Sequence, residues 1–172
     1  MEIEKEIFEL IRKRRSIRRF DNTKDVSKDL VLKIIEAGSY APSGHNNQPW
    51  RFSIIKNESI KDEISKLTVY GNIVKSANVL IAVFLDHEHS YDRDKDLMAI
   101  GACIQNMLLY ISSIGLGAVW LGEILKNKDK VKEILHIEGK KELVAIIAVG
   151  YPIQIPKSPG RKPVEELIIN EY

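Results

Sequence analysis

Helices packed around a partly buried β-sheet, in one domain spanning residues 1–172, are what this sequence predicts, and three observations carry that expectation. Ala77 to Leu85 is a nearly continuous apolar run closed by Asp86, as expected of a central strand buried on both faces. Leu97 to Gly122 contains no charged residue, yet Gln105, Asn106 and Ser112-Ser113 interrupt it and Gly115 and Gly117 break its pattern. It therefore reads as a buried helix followed by a buried strand, not as a membrane span. The length of 172 residues suits one domain or one compact subunit of an oligomer.

Composition narrows the class. Hydrophobic residues make up 44% and charged residues 29%, which suits a globular chain and argues against disorder. With 26 basic and 24 acidic residues, the net charge of +2 gives no overall reason to expect a polyanionic partner. The single cysteine, Cys103, excludes a disulfide within the chain and reads as core between Ala102 and Ile104. His87-Glu88-His89 has no third ligand nearby, so no metal is expected. The acidic, amphipathic start Met-Glu-Ile-Glu-Lys is unlike a signal peptide, and a cytoplasmic location is expected.

Element by element, Ile3, Ile7, Leu10 and Ile11 share one helical face that runs into a basic segment, Arg12 to Arg19. Ser27 is placed to cap a second helix with the stripe Leu30, Val31, Ile34 and Ile35, stopped by Ala41-Pro42-Ser43-Gly44. Trp50 to Ile55 alternates as a strand, and Ile60, Ile64 and Leu67 mark a third helix. Asp86 to Asp96 is charged and reads as a mobile surface loop. The long helix from Leu97 to Ile114 is apolar nearly all round, so it needs covering beyond one sheet, by a second subunit. Ala118 to Leu121 and Leu143 to Val149 read as strands, with a short helix around Val131, Ile134 and Leu135 between them. Four prolines between Pro152 and Pro163 leave residues 152–172 as an extended arm with the apolar end Leu167-Ile168-Ile169, suited to docking on a partner.

Chemistry concentrates in three polar stretches. Arg14-x-Ser16-x-Arg18 brings two guanidinium groups and a hydroxyl together, which suits a phosphate or an electron-rich ring edge; a solvated helix end is the plainer account. Ser43 to Gln48 offers a hydroxyl, an imidazole and three amides between Pro42 and Pro49, matched to the alternating donors and acceptors of a heterocycle edge or to an ordinary turn. Lys157 to Pro163 is a second basic cluster, either a binding arm or an exposed tail. Dinucleotide, P-loop and nucleophile-elbow motifs are absent, which directs attention to cofactor chemistry. Aromatic residues do not interleave with the basic segment, so nucleic acid is not expected.

Four motifs in order resemble the nitroreductase family of flavin mononucleotide (FMN) enzymes. They are Arg14-Arg15-Ser16-Ile17-Arg18-Arg19-Phe20; Ala41-Pro42-Ser43-Gly44-His45-Asn46-Asn47-Gln48-Pro49-Trp50; Gly115-Leu116-Gly117-Ala118-Val119-Trp120-Leu121-Gly122; and Val149-Gly150-Tyr151-Pro152 leading to Arg161-Lys162-Pro163. The resemblance implies an α+β fold with a mixed central sheet flanked by helices, and an intertwined homodimer with C-terminal arm exchange. It implies FMN at the subunit interface, NADH or NADPH as electron donor, and a small-molecule electron acceptor such as a nitroaromatic or quinone, reduced by a ping-pong mechanism. A flavin-binding protein with a storage, sensing or flavin-fragmenting role is the alternative.

The cofactor-binding residues so implied are Arg14, Arg15, Ser16 and Arg18; Pro42, Ser43, Gly44, Asn46 and Gln48 of the flavin loop; Trp120, Leu121 and Gly122; and Arg161 with Lys162 at the phosphate. Pro42, Ser43 and Asn46 would come from the other subunit, and Arg18 would lie on the pyrimidine side of the ring. No side chain is expected as a catalytic acid, since the flavin N5 carries the chemistry. His45 reads as a surface imidazole, and the short Lys56 to Ser76 stretch leaves the site open.

Overall fold

The computed structural model describes residues 2–172. Ten elements follow in order: α1 Glu2–Lys13, α2 Lys28–Ser39, β1 Trp50–Ile55, α3 Glu58–Ser65, α4 Gly71–Ser76, β2 Val79–Asp86, α5 Arg93–Ser113, β3 Gly117–Leu121, α6 Lys128–Ile134 and β4 Lys141–Gly150. Ser27 caps α2 as expected, its Oγ accepting from the Leu30 N–H at 3.3 Å.

The four strands form one sheet in the order β1-β2-β4-β3. All eight residues of β2 are buried. Alternation of side chains explains this. Val79, Ile81, Val83 and Leu85 face the layer built from α2 and α5, against Val31, Ile34, Cys103, Ile104 and Met107. Leu80, Ala82 and Phe84 face the opposite layer, with Ile64 of α3, Val74 of α4 and Val131 of α6. One strand thus anchors both cores. Pairing shifts between Val83 and Phe84, which oppose Ala145 and Leu143, so Val144 is the extra residue of a bulge. Cys103 is free and lies in the α5 core, where burial pushes its thiol up to about 12.

Three expectations need correction. The sheet is antiparallel at every strand pair, not mixed. β2 and β3 run the same way across α5, but β4 inserts between them in the opposite sense, and the only parallel pairing among the described residues is a single bridge from Ser16 to Ala118. The 86–96 stretch is tied down rather than loose. Asp86 is buried and meets Arg51, His89 and Lys141 at 3.1, 2.9 and 2.9 Å. The long helix therefore starts at Arg93, four residues before Leu97, with Asp92 accepting from the Lys95 N–H. Finally, residues 56–76 hold two helices where one was expected, because α4 adds Ile73 and Val74 to the lower core.

Glu142 joins these elements electrostatically. Hydrogen bonds from Arg93 are the largest influence lowering its carboxyl from 4.5 to about 2, assisted by Lys128 and His87. A lowered folded-state value stabilises the fold above the unfolded value and loses that contribution as pH falls. Glu142→Gln should therefore be less stable than wild type near pH 7. Urea unfolding at successive pH values should show that difference closing between about 4.5 and 2.

No helix among the described residues is long and apolar enough to cross a membrane.

Candidate functional site

The basic segment divides by function of position. Arg12 and Lys13, in the last turn of α1, pair with Glu9 at 2.8 and 3.3 Å. Arg15 folds back, its Nη1 donating to the carbonyls of Arg12 and Arg14 at 2.7 and 2.8 Å, so it caps the helix end. The chain then lies against the free edge of β3. Ser16 bridges Ala118, and the Ile17 N–H donates to the Ala118 carbonyl at 2.9 Å. Ile17 is buried directly over Gly117, where a Cβ would stand 2.6 Å from its Cγ1. On the other side the root of the C-terminal arm closes on the same segment. The Asp21 N–H donates to the Tyr151 carbonyl at 2.9 Å and the Ile153 N–H to that of Arg19 at 3.1 Å.

Among the described residues, no carboxylate pairs with the cations this arrangement gathers. Arg14 is half-buried; burial, then the charges of Arg161 and Arg15, press its pKa below the ordinary arginine value. With Arg15 it lines a cavity of about 100 Å³ together with Leu108, Ile111 and Gly115. Arg161 reaches this region from the exposed arm, 147 positions away in sequence. Arg18 is exposed beside Ser16, Gln154 and Pro156, and Lys162 follows Arg161 on the exposed arm.

A second cavity of about 360 Å³ opens between the same α5 stripe and the same face of β3. Leu97, Ile100 and Ile104 continue the helical face that Leu108 and Ile111 present to Arg14. Trp120, two residues beyond Ala118 on β3, forms its opposite wall and is 42% exposed. Val144, displaced by the β4 bulge, lines it too, as do the charged side chains Arg93, Lys128 and Glu142. Leu121 is buried and Gly122 is exposed, with open space where its Cβ would be.

The amide-rich loop is elsewhere in the same chain. Its 3-10 turn, Gly44–Asn46, sits at the start of α5, where Asn47 Nδ2 donates to Asp96 Oδ1 at 3.0 Å. Arg14 and Arg15 sit beside Ile111, fifteen residues further along that helix. At a rise of roughly 1.5 Å per residue the two stretches are about 22 Å apart. One chain therefore brings together the residues at 14–18, 120–122 and 161, and leaves Pro42, Ser43, Gly44, Asn46 and Gln48 outside that group.

The loop is nonetheless built with care. Of the four non-glycine residues at positive φ among the described residues, three are His45, Asn46 and Gln48. Such clustering of sparsely populated backbone marks functional sites. Ser43 Oγ accepts from the Gln48 N–H at 3.1 Å, and the His45 ring lies 4.8 Å from that of Tyr91. His45 is therefore exposed but packed at a tilt of 42° on Tyr91. Tyr91 and Asp96 were not singled out by the sequence, and Asn47 was read only as one of the loop's three amides. The available signal was an acid at the threshold of a charge-free helix, facing a loop with a surplus amide.

The sequence pattern of the Nitroreductase family matches residues 11–69 and 65–151. A crystal structure of a nitroreductase from Desulfovibrio desulfuricans, solved in complex with FMN, superposes with a TM-score of 0.91 at 43% identity, covering 96% of each chain. A Bacillus subtilis protein that bears the name NAD(P)H nitroreductase YfhC is 30% identical over 92% of this chain and 90% of its own. An iodotyrosine deiodinase from Thermotoga neapolitana is 29% identical over 86% and 89%. With a pattern match running from the basic segment to the root of the C-terminal arm, this chain belongs to the nitroreductase family.

Proposed function

We propose that this chain is an FMN-dependent oxidoreductase that draws electrons from NADH or NADPH and delivers them to a small electrophile of the nitroaromatic or quinone class. The observation that carries this reading is the gathering of Arg14, Arg15 and Arg161, which no carboxylate pairs among the described residues, beside a cavity that Trp120 lines with Leu97, Ile100 and Ile104 on one side and Arg93, Lys128 and Glu142 on another. Like charges held together in a half-buried site repel one another, and an anion relieves that cost. A phosphate joined to a planar ring with an apolar face and a polar edge suits a groove that pairs arginines with a cavity of mixed lining.

FMN bound here supplies hydride acceptance from the nicotinamide and two-electron delivery to the acceptor, in a ping-pong sequence that uses one flavin face. Arg14, Arg161 and Lys162 hold its phosphate, with Arg15 adding charge while it caps α1. Ser16 and Arg18 address the pyrimidine side, where a permanent, planar guanidinium favours the negative charge of the reduced ring. Leu121 and Gly122 offer backbone groups at the edge of β3, beside Trp120.

A second copy of the chain supplies Pro42, Ser43, Gly44, Asn46 and Gln48. Two features support this homodimer. The loop lies about 22 Å from the Arg14 end of its own α5. Large apolar side chains also stand unpartnered in one chain: Ile3, Ile7, Phe8 and Ile11 on α1, Met98 on α5, and Leu167, Ile168 and Ile169 at the arm's end, the last 93% exposed. Exchange of the arms covers such surface. The deiodinase relative indicates that acceptors vary on this framework, so the acceptor is set by what borders the open Trp120 cavity.

Purified protein reconstituted with FMN should be yellow, and NADH or NADPH should bleach it without oxygen. A protein that takes up no FMN sinks the reading. One that binds FMN but is bleached by neither nucleotide is a flavin carrier instead. Screening nitroaromatics and quinones for re-oxidation of the bleached protein then identifies the acceptor class.

A further inference from the structure

We infer that Asp96 and Asn47 are positioning residues: together they clamp the strained Pro42–Gln48 loop in the shape that presents it to the flavin. This rests on the flavin reading given above. Asp96 lies in the first turns of α5 and is 0% exposed. Among the described residues no cation pairs with it; its donors are neutral. Its Oδ1 accepts from Asn47 Nδ2 at 3.0 Å, and its Oδ2 from Ser90 Oγ at 2.7 Å and the Tyr91 N–H at 3.1 Å. Burial disfavours its charge, but these donors outweigh burial and hold the carboxyl below its ordinary value. A buried carboxylate is an expensive way to accept hydrogen bonds. Its return is that two oxygens can gather several donors from two separate loops at once.

Those loops are the two that matter. Asn47 donates its other amide hydrogen to the His89 carbonyl at 2.8 Å, so one side chain ties the 42–48 loop both to the 86–92 loop and to α5. With both hydrogens committed, its Oδ1 is buried without a partner among the described residues. Tyr91, held by its N–H on Asp96, packs its ring at a tilt of 42° against that of His45 and lies where a Cβ on Gly44 would be. The backbone then has no freedom to relax: Asn47 at φ −73° is flanked by Asn46 at φ 54° and Gln48 at φ 46°, with His45 at φ 52°. Asn46 and Gln48 are exposed, while Asn47 turns inward. The clamp therefore fixes the loop from behind while its outer residues stay available.

Hydrogen exchange and FMN titration of the full-length protein test this with Asp96→Asn and Asn47→Ala. Asn at 96 would set its NH2 group against a donor whichever way it turned, Asn47 Nδ2 on one side or the Tyr91 N–H on the other; Ala at 47 removes both ties but leaves Asp96 with Ser90 and Tyr91. Each variant should exchange amides 44–48 at least tenfold faster without FMN, with β2 and β4 protected as in wild type. Each should bind FMN about tenfold more weakly, the loss expected when a hydrogen bond to a charged group goes. Unchanged loop exchange and unchanged FMN affinity overturn the clamp. So does faster exchange spread evenly over the sheet, which would make Asp96 a general stabiliser. If wild type binds no FMN, the flavin reading fails, while localised loop exchange in the variants still supports the clamp.

Discussion

Arg14→Met should raise the FMN dissociation constant about 100-fold, equivalent to ~2.7 kcal/mol, while leaving the FMN-free protein at least as stable as wild type. Methionine keeps an apolar stem beside Leu108 and Ile111 and removes the guanidinium, with its charge and its N–H donors. In the free protein that charge is burdened by burial and by Arg161 and Arg15. Its removal relieves repulsion, so affinity and stability should move in opposite directions, as happens where a site is strained for function. Arg15→Met offers the internal comparison. Its guanidinium is committed to the carbonyls of Arg12 and Arg14, so affinity should fall less and the end of α1 should suffer more. Fluorescence titration and urea unfolding of the same preparations read both quantities. A joint loss of affinity and stability in Arg14→Met would show that Arg14 serves the fold.

Gly117→Val should cost about 2–3 kcal/mol, the upper range for overpacking a core, although valine is the better strand former. A Cβ at 117 would stand 2.6, 2.8 and 2.9 Å from three carbons of Ile17. Ile17 is buried among Val119, Leu121 and Ile146 of the lower core and cannot swing into solvent cheaply. To make room, the Ser16–Ala118 bridge and the Ile17 hydrogen bond must open, and Arg14, Ser16 and Arg18 move with them. FMN affinity should therefore fall with stability, unlike the Arg14 case. Gly122→Ala is the control for folding, because nothing lies within 4 Å of its added Cβ. A lower urea midpoint at constant slope for Gly117→Val alone would establish that the basic segment is held by packing on β3.

Local sequence was enough wherever one segment settles its own conformation. Ser27 before a 3.6-residue stripe determined the start of α2, the alternation from Trp50 to Ile55 determined β1, and the short, nearly continuous apolar run from Ala77 to Leu85 pointed to a strand with two covered faces. Motif order along the chain was likewise enough for the family. Strand direction was another matter. Hydrophobic pattern is the same for parallel and antiparallel neighbours, so only the insertion of β4 between β2 and β3 decided that the sheet is antiparallel.

The site shows the same division. Residue types at 14–18, 42–48, 120–122 and 161–162 marked where a cofactor could be met, because guanidinium, amide and hydroxyl groups carry their chemistry with them. Which arginines feel one another's charge, and that the amide loop lies at the far end of α5, follow from long-range packing that no window of sequence contains. Asp86 and Asp96 make the point most directly. In sequence both belong to a charged, loop-like stretch; in the fold both are buried, because donors from distant residues replace the water they give up. Charge alone predicts exposure, and only tertiary structure shows which charges have been given partners inside.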